Sequence, residues 1–130
     1  MTWQDAFLAL AGMIGSGVAI LHGVLLQRLM VRPLEALAIA DRRTSATIRR
    51  LLAPVVHFST YSWLLGGLAL IASAIWFGHD ARLTTGLLVG SLYLYGVVGN
   101  CWATRGRHPG WMLLAAALVL IALGIGTAGG

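Results

Sequence analysis

The chain has 130 residues, of which 58% are hydrophobic and only 10% charged, with a mean hydropathy of +0.84. Soluble domains carry charge on about a quarter of their residues, so this composition excludes an ordinary water-soluble domain. The formal charge of +5 comes from nine arginines and no lysine, with no nucleic-acid motif behind it, and the single cysteine excludes an internal disulfide or a thiolate metal cluster within one chain.

Four apolar stretches are each long enough to cross a bilayer, which takes roughly 20 residues in a helix. They predict an all-α integral membrane four-helix bundle, one domain over residues 1–130, with spans at about 5–30, 50–77, 83–104 and 109–128. Continuous runs without two-residue alternation argue against a barrel, and backbone groups in hydrocarbon must then be satisfied within helices. Short links between the later spans predict antiparallel neighbours, up-down-up-down.

The first span opens on MTWQDAF, which has Asp5 and no basic residue, so it reads as a retained helix rather than a cleaved signal. Ala11, Gly15, Ala19 and Gly23 form a ladder of small residues that permits close helix approach, and His22 lies beside it. Beyond it, VRPLEALAIADRRTSAT predicts a short interfacial helix after Pro33, with Leu34, Leu37 and Ala38 toward lipid, and Thr44 or Ser45 as cap of the next span.

The second span begins RRLLAPVVHFSTYSW, with Pro54 expected to bend it. At about 100° per residue, His57, Thr60, Tyr61, Leu64 and Leu68 share one face and Ser59, Ser62, Gly66 and Ser73 lie roughly opposite. The link GHDAR follows, in which Asp80 and Arg82 read as a surface pair and His79 as a solvated histidine. On the third span Gly86, Gly90, Tyr93, Gly96 and Asn100 share a side; His108, in the turn TRGRHPG, again reads as solvated. Trp3, Trp76 and Trp111 fall near span ends, where indoles favour the headgroup zone.

Eight of the nine arginines bracket the loops after the first and third spans, and only Arg82 lies on the other side. The positive-inside rule then places both arginine-rich loops in the cytoplasm and both termini outside. At about 1.5 Å per residue, His57 lies about 10 Å beyond Arg50, His22 about 9 Å before Arg28 and Asn100 about 7 Å before Arg105. A polar intramembrane cluster of His22, His57, Thr60, Tyr61 and Asn100 is therefore expected near the cytoplasmic leaflet.

The stretch from His22 through Arg28 and Arg32-Pro33-Leu34, then His57-Phe58-Ser59-Thr60 and Trp63, then Thr104-Arg105-Gly106-Arg107-His108-Pro109-Gly110-Trp111, covers most of the chain. It resembles a loose group of small uncharacterised four-span bacterial inner-membrane proteins with a histidine in each of the first two helices. That resemblance implies topology and no activity. FSTYS also resembles the Phe-Ser-Thr tract of small fluoride channels, though here it sits in the second span and that family's second-helix asparagine is missing.

The functional expectation is a non-enzymatic structural or partner-binding membrane component whose surroundings are the lipid bilayer and a homo-oligomer or membrane-protein partner, with no nucleic acid. No carboxylate lies inside a span where a serine-histidine-carboxylate set or a proton-coupled antiporter would need one. The alternative is a redox subunit binding haem b or quinone through His22 and His57, and a second is a small transporter or channel.

Overall fold

The computed structural model describes residues 2–41 and 43–126, and among them all regular structure is helical. Helix α1, Trp3–Leu26, starts at a capping box: the Asp5 amide donates to the Thr2 hydroxyl (3.2 Å), and the Thr2 amide donates to the Asp5 carboxylate (2.7 Å). The reciprocal bonds satisfy two of the orphan donors at a helix start.

Helix α1 does not end before Pro33, as a separate interfacial helix would require. It runs through one π-helical turn, Gln27–Val31, into α2, Arg32–Ala40, so that helix is continuous from Trp3 to Ala40. Proline in a helix clashes with the carbonyl four residues earlier, here Leu29. The widened turn, closed by the Arg32 amide on the Gln27 carbonyl, lets the proline enter α2 at its first turn.

Asp41 stops α2 by accepting from the Arg43 amide and the Thr44 hydroxyl, both at 3.0 Å. Ser45 then caps α3, Ala46–Trp76, accepting from the Ile48 amide at 3.2 Å. Helix α3 stays continuous through Pro54. Helix α4, His79–Thr104, ends at Arg105 and Gly106, both left-handed (φ 51° and 72°), with the Gly106 amide on the Cys101 carbonyl at 2.8 Å. Glycine adopts that conformation without a Cβ penalty. Helix α5 covers Gly110–Ile125.

Helix α1 packs on α3 and α5, and α4 packs on the same two, closing a ring of four. The core runs along its axis through Leu8, Ala19, Leu70, Tyr93, Leu114 and Ile121. Two glycine positions set the spacing. A Cβ on Gly12 would press on the Gly67 carbonyl of α3, and one on Gly15 would overlap the phenol of Tyr93. Tyr93 is fully buried there, its hydroxyl donating to the Trp63 carbonyl at 3.3 Å.

Three helical stretches are long and apolar enough to cross a membrane: Trp3–Ala40, Ala46–Trp76 and His79–Thr104. The fourth, Gly110–Ile125, is apolar but has 16 residues, about 24 Å at 1.5 Å per residue. Ile20, Phe58, Leu88, Val98 and Val119 on the outer faces are all exposed, an apolar flank that a soluble bundle would not present.

Candidate functional site

The two ends of the bundle are built from different chemistry. At the end holding the starts of α1 and α4, Arg82 forms an ion pair with Asp5, whose side chain is 8% exposed. The same guanidinium donates to the carbonyls of Ser73 (3.2 Å), Phe77 (3.0 Å) and Ala74 (3.3 Å), the last turn of α3. One arginine thus neutralises a buried carboxylate and caps a helix end, adding donors to three of its last carbonyls, of which Ser73 also accepts from the Phe77 amide. Arg82 is therefore not the surface partner of Asp80 that adjacency suggested. Gln4 adds a bond from its Nε2 to the Gly126 carbonyl at 2.7 Å, tying α1 to the end of α5.

The arginine-rich end is looser, and the candidate site lies there. Trp63 of α3, 5% exposed, carries the ring of His22 from α1 at 4.7 Å between centroids, inclined at 43°. Next to this ring pair is a cavity of about 310 Å³. His22, Trp63, Asn100 and His108 supply its aromatic and polar wall, and α1 and α5 supply aliphatic walls such as Leu25 and Leu113.

The polar cluster expected from depth is only partly assembled. His22 and Asn100 share the cavity, Asn100 using its Nδ2 on the Gly96 carbonyl at 2.8 Å. His57 is half-buried but does not line that cavity; its Nε2 is 2.8 Å from Gln27 Oε1, at the π-helical turn. Thr60 turns its γ-methyl toward Gly23, and its hydroxyl is buried without a hydrogen-bond partner. Tyr61 is 63% exposed on the outer face beside Phe58 and Leu65. Depth is one coordinate of two: His57 is six residues from Trp63, about 120° around the helix from the residue that meets His22.

His108 joins the site from the turn, where it was expected to be solvated. The chain folds back through Arg105 and Gly106. The His108 amide then lies 3.4 Å from the Thr104 hydroxyl, and its Nδ1 accepts from the Gly110 amide at 3.0 Å. The ring is left half-buried against the cavity. The signal available in the sequence was the pair His108-Pro109: a proline start to α5 needs a local acceptor for the amide that follows. His79, in contrast, is exposed at the start of α4.

This geometry does not suit a bis-imidazole haem. Only one of the two helix histidines lines the cavity, and the other has its Nε2 engaged by Gln27. Among the described residues, no group of three histidine, cysteine or carboxylate side chains converges as a metal site. No family model matches the chain, and comparison with curated proteins and with solved structures also gave no match.

Proposed function

We propose that the chain is a multi-pass integral protein of a bacterial inner membrane and acts as a non-enzymatic binding component there, in the lipid bilayer and alongside a homo-oligomeric or other membrane-protein partner. The observation that carries this reading is how its polar side chains are used. Arg82 and Asp5, and His57 and Gln27, are committed to bonds that hold helices together or end them, and Asn100 turns one amide hydrogen back on the Gly96 carbonyl of its own helix. What stays open is a mostly apolar cavity.

An antiparallel, up-down-up-down arrangement fits the contacts. Gly12 and Gly15 of α1 meet Gly67 of α3 and Tyr93 of α4, while Gly23, further along α1, meets Thr60, earlier in α3. Gln4 near the start of α1 reaches Gly126 at the end of α5. The eight-to-one division of arginines among the loops of the sequence orients this bundle with its arginine-rich loops in the cytoplasm and both termini outside. The resemblance read from the sequence, to small four-span inner-membrane proteins with a histidine in each of the first two helices, implies the same four-span topology.

Reporter fusions test it. A fusion after Gly130 should be active as a periplasmic reporter and one at Asp41 as a cytoplasmic reporter, and alkaline carbonate should leave the protein in the membrane pellet. A cytoplasmic C-terminus would overturn the orientation, and release by carbonate would overturn the membrane assignment.

A further inference from the structure

We infer that the cavity between α1 and α5 binds the ring of a membrane-dissolved amphiphile carrying hydrogen-bond-accepting oxygens, the chemistry of an isoprenoid quinone head group. This names the ligand class for the binding component proposed above and rests on that reading. Four observations converge on it.

The first is size: at about 310 Å³ the cavity is roughly twice the ~150 Å³ that admits benzene in an apolar protein core. It has room for one substituted ring and not for a tetrapyrrole. The second is access. Rim residues Leu21, Val24 and Leu113 are exposed on the lateral face, at the depth of the spans. A ligand reaching the cavity there comes from the hydrocarbon and can leave its tail in it.

The third is the donor set. Because His108 Nδ1 accepts from Gly110, its neutral ring carries the proton on Nε2, a donor. Asn100 spends one amide hydrogen on Gly96 and keeps the other. Among the described residues, no hydrogen bond engages either ring nitrogen of His22. A ligand with carbonyl or hydroxyl oxygens meets all of these. The fourth is shape: the His22–Trp63 ring pair forms part of the wall, which favours a flat ring over an acyl chain.

The test uses the full chain in nanodiscs and a radiolabelled decyl-substituted benzoquinone as the probe. Saturable binding of about one probe per chain is expected. Leu113→Trp, a change at an exposed rim position, should fill the mouth and weaken binding at least tenfold. His108→Asn keeps an acceptor for the Gly110 amide and removes the Nε2–H, and should weaken binding several-fold with the turn intact. Helicity and gel-filtration profile report whether each variant is folded. Uptake that rises linearly with probe and is equal in all three proteins would overturn the inference and leave the membrane assignment standing. Displacement by raising anionic phospholipid, without response to His108→Asn, would make the cavity a lipid site and also overturn it. Failure of the chain to insert into nanodiscs would overturn both readings together.

Discussion

The two ends of this bundle solve the same problem differently. At the Arg82 end, an ion pair, the bonds from Arg82 to the last carbonyls of α3 and a bond from Gln4 to Gly126 join the starts of α1 and α4 to the ends of α3 and α5. At the arginine-rich end, one side-chain bond, His57 to Gln27, links α3 to the α1 segment, and the rest of the space is a cavity. In hydrocarbon there is little hydrophobic drive between helices, so stability rests on packing and on such bonds. A bundle tied at one end can leave the other open for binding.

The comparison is broken most directly at Arg82. Arg82→Ala leaves Asp5 without its counter-charge and the end of α3 without its side-chain donors, and should cost about 3 kcal/mol, near the lower end for losing one side of a buried pair. Asp5→Asn should cost less, because the arginine keeps its three carbonyls. Unfolding of each variant in detergent by heat or by SDS would check this; equal, small losses would mean that the end is not tied by this arginine.

The middle of the bundle separates the two ends, and Gly15 probes it. A Cβ there overlaps the Tyr93 phenol, so Gly15→Ala should cost about 2 kcal/mol through overpacking. Tyr93→Leu should be destabilising alone but should recover part of that loss when combined with Gly15→Ala. Additive losses in a double-mutant cycle would show that the two residues do not share this space.

At the open end the His57–Gln27 bond predicts a smaller effect. His57→Leu and Gln27→Leu should each cost about 0.6–1 kcal/mol, and the double variant no more than the larger of the two, since each already removes the same bond. His57→Ala should leave probe binding in the cavity unchanged, which separates His57 from His22.

What the sequence conveyed and what it hid follow from one distinction. Features set within a few residues were legible: Ser45 caps α3 because a serine stands before the helical run, and Ala11, Gly15 and Ala19 are buried because a four-residue spacing keeps them on one face. The three long apolar helices follow from composition alone. Contacts across the chain were not legible. Asp5 and Arg82 are far apart in sequence, and Asp80 was the obvious neighbour. His57 was placed by depth, whereas its partner is decided by its direction around α3 and by a π-helical turn that no periodicity announces. Thr60 and Tyr61, adjacent in sequence, separate for the same reason: one faces Gly23 and the other faces outward.

The smallest effect sharpens the comparison most. Leu113→Phe enlarges a side chain at the rim of the cavity, where the structure has room, so it should change stability by no more than about 0.5 kcal/mol. Gly15→Ala adds a single carbon and should cost several times as much, because the space there is already filled by Tyr93. The ordering does not follow the number of atoms added, three carbons at an exposed rim against one at a buried contact; it follows where the bundle has empty space. Measured side by side in the same detergent, a loss above about 1 kcal/mol for Leu113→Phe would show that the arginine-rich end is packed as tightly as the middle. The ring-binding reading would then lose the room it depends on.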